Sequence, residues 1–367
     1  MDEKELIKYD LESYARSNNK SIKDAIDYLI AIAPQSTLAK YNKLPKVIKA
    51  WKILKLQYIQ TTQTKTDILK VDDSLRNNNY YDGSAVKFGI TLNAKDYIIK
   101  FTKDNDLSVV CEYIASNFIQ SLGIDCQTVL LGEYESELVA VIEDFTHGCC
   151  LHTFKDTKQS SVDTDLSDKE YTYEDVLYLI NKHLKLTSEE KYNVIVNFWK
   201  MYICDSILGN RDRHWGNWGY IENSLGYYKM APLFDNGGSL YPGVLNVIDQ
   251  YSTDRKTFLH ERIFTVPASL FKIQEPDRTH RTNYYEILSS HFNSTLDQQL
   301  DYFRSTFTYD NIYDKISELV FSVDINLPIN VHLFWVEVTT LRYMCLILQM
   351  DFEEAFSIID RRLHHDF

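Results

Sequence analysis

The amino-acid sequence predicts an α+β fold of two lobes, in which a small β-rich lobe precedes a larger, mainly helical one. Short apolar strands, turn residues and one helix alternate between residues 76 and 146, whereas helical periodicity dominates from residue 147 onward. The chain has 367 residues, enough for two cores. We therefore predict an N-terminal helical segment (1–75), a small lobe (76–146) and a large lobe (147–367).

The N-terminal region has helical spacing. Apolar residues recur with that spacing between Ile22 and Ile30, and Pro34 closes the helix. A second helix is predicted from Leu38 to Tyr58. The polar, asparagine-rich stretch from Asp72 to Asp82 predicts a loop or linker before the small lobe.

The small lobe is predicted to start with a β-hairpin, because two apolar runs flank the turn-like sequence Asn93-Ala94-Lys95-Asp96. Gly123 stands where a helix would end. In chain order the predicted elements are strands 86–90 and 97–101, a helix from 107 to 122, and strands 128–131 and 138–143.

The large lobe is predicted to contain a strongly amphipathic helix that Thr187 and Glu190 open as a capping box. This helix is predicted to end at Gly209. The tail from residue 284 to 363 is again helical, with a core stripe of Phe334, Trp335, Val338, Leu341 and Cys345. The predicted buried stripe of the first helix is Tyr192, Ile195, Val196, Trp199, Tyr202 and Ile203.

Composition and charge exclude several functional classes. The net charge of −13 is evidence against a direct nucleic-acid partner. The most basic stretch, Lys40 to Lys55, is interleaved with apolar residues, which favours a solvated helix face over a docking patch. We find no segment that could span a membrane and no signal peptide. The six scattered cysteines indicate reduced thiols. These features predict a cytoplasmic protein and leave leaderless export to a host open.

The most informative stretch for chemistry is Gly209-Asn210-Arg211-Asp212-Arg213-His214-Trp215-Gly216-Asn217. Phosphoryl transfer needs a carboxylate that orients and deprotonates the attacking hydroxyl, and oxygen ligands for the magnesium on the phosphates. Asn217 follows Asp212 at the spacing of a protein-kinase catalytic loop. Downstream, Asp235 ends a short apolar strand and is followed by Asn236-Gly237, the spacing of the kinase metal-binding aspartate. The segment 218–233 can form the hairpin that brings both sites together.

A lysine for the ATP phosphates is predicted at Lys100, between Ile99 and Phe101 in the second hairpin strand. An inward-pointing lysine in an apolar strand is costly unless it is paired, and Glu112 in the next helix is the predicted partner. The alternative is that Lys100 faces water on an edge strand. Lys103 is a less favoured substitute because it lies past the strand.

The nucleotide is expected to contact two further segments. Small residues in the stretch from Gly83 to Gly89, with Ser84, Ala85 and Lys87, could let phosphates approach the backbone, although the pattern is not G-x-G-x-x-G. No Walker A sequence occurs. Glu143-Asp144-Phe145 follows the last small-lobe strand, where an adenine-binding hinge belongs.

The ordered set GSAVKFG, YIIKF, CEYIASNF, VIEDF, GNRDRHWGN and APLFDNGGS resembles the HipA-like kinases. These are bacterial serine/threonine kinases, best known as toxins of toxin–antitoxin pairs, and they include shorter translocated relatives. The resemblance covers about residues 80 to 365. The Asp-x-His-x-x-Asn loop and the Pro-Leu-Phe-Asp strand are its specific motifs.

The resemblance implies an ATP- and Mg²⁺-dependent kinase, with Mn²⁺ as an alternative ion. Asp212 resembles the catalytic base, and His214 in the same loop is a further candidate catalytic residue, together with Lys100 and Glu112. Asn217 and Asp235 resemble the metal ligands, and Lys100 resembles the phosphate lysine.

The resemblance also implies regulation and partners. Ser84 is similar to a loop serine whose autophosphorylation silences some members; the alternative is that it only tightens the turn. The acceptor would be a protein, and an antitoxin-type partner protein is implied. The first 75 residues, however, do not resemble the N-terminal subdomain where such a partner often docks.

Two other interpretations stay open. The string Asp-Arg-His-x-x-Asn also resembles phosphoinositide kinases, so a lipid or small-molecule kinase of similar fold is an alternative, although this acidic chain shows no basic lipid-facing surface. A pseudokinase that binds nucleotide without turnover is the third interpretation. It is disfavoured because the lysine, both aspartates and the asparagine are all present.

Overall fold

The computed structural model describes residues 65–79, 81, 86–102, 106–156, 172–182, 185–265, 271–275, 278–323, 325 and 327–366. They fall into two compact units. One unit comprises residues 66–320 and 330–350 and contains the small lobe, the corresponding part of the large lobe and the site described below. The described part of the other unit includes helix α10 (Phe352–Asp366), whose Ala355 and Ile359 are fully buried.

Within the described residues, the small lobe is built on a five-stranded sheet. The strands are β1 (Leu69–Lys70), β2 (Lys87–Leu92), β3 (Lys95–Phe101), β4 (Val129–Tyr134) and β5 (Glu137–Glu143). Their order in the sheet is β1-β4-β5-β3-β2, in which β1 is parallel to β4 and the other neighbours are antiparallel. The predicted hairpin and the two later strands are confirmed.

The β2–β3 turn is tighter than the predicted four-residue turn. Asn93 and Ala94 alone connect the strands, with φ of 52° and 62°. Two central residues with positive φ are the geometry of a primed hairpin turn, whose twist matches that of the flanking strands. The turn therefore fixes the register in which Lys87 lies opposite Lys100.

Residues before 76 also belong to this sheet. Leu69 pairs with Gly132, and the Val71 N–H donates to the carbonyl of Glu133 (3.0 Å). The helical prediction for residues 1–75 is therefore wrong at β1, because a two-residue strand has no periodicity that a sequence pattern could show. The two helices predicted between residues 22 and 58 lie outside the described residues.

The predicted small-lobe helix is confirmed as α1 (Ser108–Ser121), and Gly123 follows it with φ of 73°. Ten of its residues, from Val109 to Ile119, are buried. One face of the sheet packs into a core that includes Ile99 and Val141. Because neighbouring side chains of a strand alternate between faces, Lys100 lies on the opposite face from Ile99.

The large lobe of the described residues is mainly helical, with two small antiparallel sheets. Its strands are β6 (Cys150–Thr153), β7 (Gly219–Glu222), β8 (Tyr228–Met230), β9 (Lys272–Glu275) and β10 (Arg278–Arg281). Its helices are α2 (Tyr173–Lys182), α3 (Ser188–Leu208), α4 (Ile248–Thr253), α5 (Arg255–Phe264), α6 (Tyr284–Ser289), α7 (Ser294–Thr306), α8 (Tyr309–Ser322) and α9 (Ile329–Arg342), which continues as a π-helical turn at Tyr343–Ile347.

Helix α3 is the central element of the large lobe. The Thr187–Glu190 capping box is confirmed by bonds in both directions. Tyr192 is 51% exposed, so its predicted place in the buried stripe is wrong. From Met201 to Leu208 every residue is buried, and a helix end that is buried all round shows no single stripe. The predicted core stripe in α9 and the following turn is confirmed.

Two further observations concern the whole described chain. None of its helices combines the length and the apolar character that crossing a lipid bilayer requires. All six cysteines are free thiols, as predicted. Cys111, Cys126, Cys204 and Cys345 are buried.

Candidate active site

The loop that carries Asp212 begins at the C-terminus of α3. Gly209 ends the helix with φ of 64°, and the Asn210 N–H donates to the carbonyl of Asp205 (2.9 Å). A Cβ atom on Gly209 would lie 1.9 Å from Nη1 of Arg342. Glycine is thus required by both its conformation and its surroundings.

Arg213 fixes this loop to Asp205, a residue in the last turn of α3. Its guanidinium is buried and donates from Nε to Oδ2 of Asp205 (2.8 Å) and from Nη2 to Oδ1 (3.0 Å). Burial alone would lower the pKa of Arg213, but the Asp205 carboxylate outweighs that effect and raises the pKa above its ordinary value. The arginine is therefore charged and held rigidly by a two-point contact.

The same guanidinium joins the two sequence motifs. Nη1 of Arg213 donates to the carbonyl of Asn217 (2.8 Å) and to the carbonyl of Phe234 (2.5 Å), while Nη2 donates to Oδ1 of Asn236 (2.6 Å). Because one nitrogen bonds both carbonyls, Asn217 and the residue before Asp235 are fixed to a common point. The expected convergence of the two motifs is present in the structure.

Asp212 is held by its backbone, and no described residue hydrogen-bonds to its carboxylate. Its N–H donates to Oδ1 of Asn210 (3.0 Å), and its carbonyl accepts from the Asn217 side-chain amide (2.9 Å) and from the His214 N–H (2.9 Å). Asp212 lines an open cleft of about 540 Å³, together with Asp106 and other residues. A hydroxyl group of an acceptor can reach the carboxylate through this cleft.

Lys100, Glu112 and Asp235 meet at one point. The Lys100 Nζ atom lies 2.6 Å from Oε2 of Glu112 and 2.6 Å from Oδ1 of Asp235. Lys100 lies on a central strand and its side chain is 20% exposed, so it is not the edge-strand residue of the alternative interpretation.

Neighbouring charges stabilise the charged forms of Lys100 and Asp235. Burial alone would lower the pKa of Lys100, but Glu112 and Asp235 raise it above its ordinary value. For Asp235, burial acts to raise the pKa, while the charge of Lys100, followed by those of Arg213 and His214, lowers it below its ordinary value. Both Lys100 and Asp235 are therefore charged at neutral pH.

Glu112 is completely buried, and its second oxygen is also used. Oε1 accepts from the Gln127 side-chain amide (2.6 Å) and from the Asn236 N–H (2.6 Å). A Cβ atom on Gly237 would lie 2.9 Å from Oε2 of Glu112, so this glycine lets the chain approach the carboxylate. The buried carboxylate is thus paired and fully hydrogen-bonded, as its burial requires.

The donor set fits a hard divalent cation. The Asn217 amide nitrogen is bonded to the Asp212 carbonyl, so the amide oxygen points the other way. Asp235 uses one oxygen for Lys100, and its side chain is 39% exposed. One carboxylate and one amide oxygen, with few other protein ligands, is what Mg²⁺ prefers beside phosphates. Asp235 also has a φ of 56°, in the left-handed region that non-glycine residues adopt uncommonly and aspartate more often than most.

Three of the remaining predicted site residues make contacts of their own, and others lie outside the described residues. Glu143 pairs with Lys95 (2.8 Å), and the Phe145 ring lies 5.6 Å from that of Phe234. The ring nitrogen Nδ1 of His214 accepts the Gly216 N–H (3.0 Å), so His214 shapes the loop. Gly83, Ser84, Ala85 and Lys103 lie outside the described residues.

Sequence reasoning missed the buried polar residues that connect these groups. They are Ser116, Gln127, Asp205, Arg213 and Asn236. Asp205 carries a signal that could have been used, because a carboxylate in the apolar run Tyr202-Ile203-Cys204-Asp205 is costly unless it has a buried partner. The other four have no such local signal.

Together the two lobes, the lysine–glutamate pair and the converging motifs define a kinase-like fold. The chain belongs to the family described as the HipA-like C-terminal domain, whose sequence profile matches residues 62–284.

A curated relative, the serine/threonine-protein kinase CtkA of Helicobacter pylori, is 34% identical over 214 residues. That match covers 55% of this chain and 64% of the relative's length. The crystal structure of the Helicobacter pylori proinflammatory kinase CtkA matches with a TM-score of 0.68 and 26% identity, over 77% of this chain and 96% of that one. A complex of HipA, HipB and operator DNA from Shewanella oneidensis matches with a TM-score of 0.48 and 12% identity, over 78% of this chain and 70% of that one.

Proposed function

We propose that the chain is an ATP- and Mg²⁺-dependent serine/threonine protein kinase. The observation that carries this proposal is the position of Lys100, whose Nζ lies 2.6 Å from both Glu112 and Asp235. Phosphoryl transfer is catalysed mainly by positioning and by electrostatic stabilisation, and this point combines a fixed cation with a candidate metal ligand. The relationship to a protein named serine/threonine-protein kinase supports a protein acceptor.

Each residue has a role in this proposal. Asp212 orients and deprotonates the acceptor hydroxyl in the cleft, because it lines that cleft and stands at the position of the base in the kinase catalytic loop. Asn217 and Asp235 would hold Mg²⁺, which neutralises the developing charge on the phosphates. Lys100 binds the phosphates, and Glu112 keeps the ammonium group in place. Phe145 and the Glu143 backbone belong to the proposed adenine-binding hinge, and Lys87 lies beside Lys100 on the sheet.

The proposed function is tested by incubating the protein with labelled ATP, Mg²⁺ and a cell lysate, followed by phosphosite mapping. We expect labelled serine or threonine residues on soluble proteins. Labelling of phosphoinositide vesicles but not of protein would support the lipid-kinase alternative. Tight Mg²⁺-dependent ATP binding without any labelling would indicate a pseudokinase. A toxin or effector role and an antitoxin-type partner are further parts of the proposal. The identity of the mapped targets would test the first of them.

Asp235→Ala is expected to abolish the dependence of ATP binding on Mg²⁺. The substitution removes the carboxylate ligand and also frees Lys100 from its second partner, so ATP binding without Mg²⁺ should not weaken. Isothermal titration of ATP with and without Mg²⁺ measures both quantities. Asp301→Ala, an exposed aspartate on α7, is the control and should behave as the wild type. A nucleotide-bound structure with the metal more than about 4 Å from both Asn217 and Asp235 would contradict the assignment.

Ser84 is proposed as an autophosphorylation switch, on the basis of the family resemblance. A phosphate there would add about −1.5 to −2 charges at pH 7 and would compete with ATP for Lys100. We expect intact-mass spectrometry to show one added phosphate after incubation with Mg²⁺ and ATP, lost in Ser84→Ala. A protein that phosphorylates other substrates but never carries phosphate at Ser84 would refute the switch and leave the kinase proposal standing.

A further inference from the structure

Asn236 has no solvent exposure, and each polar group of its side chain is hydrogen-bonded. Its Oδ1 accepts from Nη2 of Arg213 (2.6 Å), and its Nδ2 donates to Oγ of Ser116 (3.0 Å) and to Sγ of Cys126 (3.3 Å). Its backbone N–H donates to Oε1 of Glu112 (2.6 Å). A buried asparagine that is fully satisfied on several sides has one allowed orientation.

The bonds of Asn236 lead to two different parts of the molecule. Glu112 and Ser116 lie one turn apart on α1, so both face the same side of that helix. Glu112 is the partner of Lys100, and thus α1 determines where the lysine stands. Arg213, in contrast, holds the carbonyls of Asn217 and Phe234 in the large lobe. Asn236 contacts both sets.

Other protein kinases have phenylalanine at the position after the metal-binding aspartate, and the packing of that ring distinguishes active from inactive states. Apolar packing tolerates sliding, whereas hydrogen bonds depend steeply on distance and angle. An asparagine that bonds α1 and the loop at the same time therefore transmits small displacements.

We propose that Asn236 is a positioning residue that couples the placement of α1, and with it the Lys100–Glu112 pair, to the placement of the Asp212 loop. This inference rests on the proposed function and extends it: the active arrangement of the two lobes is assembled by a polar joint of Asn236, Ser116 and Arg213. Ser116 is the sharpest probe of this joint, because it is buried on α1 and its hydroxyl accepts directly from the Asn236 amide (3.0 Å), with a longer contact from the Gln127 amide (3.5 Å).

Ser116→Ala is expected to lower kcat about three- to tenfold while the KM for ATP stays within about twofold of the wild type, since the lost bond orients Asn236 and binds no nucleotide. The measurement is transfer of labelled phosphate from ATP to dephosphorylated casein. The matched control is Asn117→Ala on the same helix, where the amide donates to the carbonyls of Tyr113 (2.9 Å) and Val129 (3.1 Å) within the small lobe. The control should lower Tm at least as much as Ser116→Ala and leave kcat within about twofold of the wild type.

A double-mutant cycle separates coupling from a general loss of structure. Asn236→Leu should lower kcat about tenfold or more, and Ser116→Ala should then have no further effect in that background. Equal effects of Ser116→Ala in both backgrounds would overturn the proposal. A loss of kcat in Asn117→Ala as large as that in Ser116→Ala would also overturn it.

Hydrogen exchange keeps the test independent of activity. If the wild-type protein transfers no phosphate to any acceptor, the proposed function fails, but the joint still predicts faster amide exchange across residues 210–217 in Ser116→Ala and not in Asn117→Ala. Unchanged exchange across that loop in both variants would refute the coupling itself.

Discussion

Asp212→Asn is expected to lower the rate of phosphate transfer by about 10²- to 10⁴-fold, the usual cost of removing a general base. Nucleotide binding should stay within about twofold of the wild type, because Lys100, the proposed phosphate-binding cation, pairs with Glu112 and Asp235. Asparagine also preserves the backbone contacts that hold the loop. Single-turnover transfer and titration with an ATP analogue measure the two quantities.

Asp106→Asn is the matched control, because Asp106 lines the same cleft as Asp212. The Asp106 side chain accepts from the Ser108 N–H (2.8 Å) at the start of α1, a contact that asparagine can also make. We expect its transfer rate to remain within about threefold of the wild type. Near-normal turnover in Asp212→Asn would remove Asp212 from the role of base.

The elements of the small lobe could be predicted from sequence because their signals are local. Alternating apolar residues flank Asn93-Ala94, and Gly123 supplies the left-handed residue after α1. The Asp212 loop and Asp235 were identified for the same reason, since kinase spacing is visible within a few residues. The sequence led us to expect that the Asp212 loop and Asp235 lie close together, but it did not show what holds them there. The contact that both segments make with Arg213 explains their proximity.

The connecting network could not be predicted in the same way. Asn236 lies 120 residues from Ser116 and 124 from Glu112 along the chain, so nothing local indicates these bonds. Arg213 occurs within the recognised loop, but its two-point contact is with Asp205, which lies in the last turn of α3. That contact depends on the three-dimensional path of the loop and not on a local pattern. Tyr192 shows the opposite failure: the periodicity included it, but the side chain is 51% exposed although Val194 and Phe198 in the same half of α3 are buried.

Arg213→Met is expected to lower the free energy of unfolding by about 3–5 kcal/mol, the cost of breaking a buried ion pair by removing one partner. The Arg213 and Asp205 side chains are each 2% exposed, so the substitution leaves a buried carboxylate. Among the described residues, its remaining side-chain partner would be the Asn210 amide (3.0 Å). Urea denaturation followed by circular dichroism measures the loss. Phosphate transfer should fall as well, because the carbonyls of Asn217 and Phe234 lose their shared donor.

The cause of this loss can be tested with a second substitution at the same pair. If the unpaired charge of Asp205 is responsible, Asp205→Asn should recover part of the lost stability in the Arg213→Met background, although the same change alone destabilises the wild type. Lys70→Met is the control for a solvent-exposed pair, since Lys70 and Glu133 are 74% and 38% exposed, and it should cost no more than about 1 kcal/mol. Additive losses for Arg213→Met and Asp205→Asn would mean that the two side chains stabilise the fold independently, contrary to the geometry of their contact.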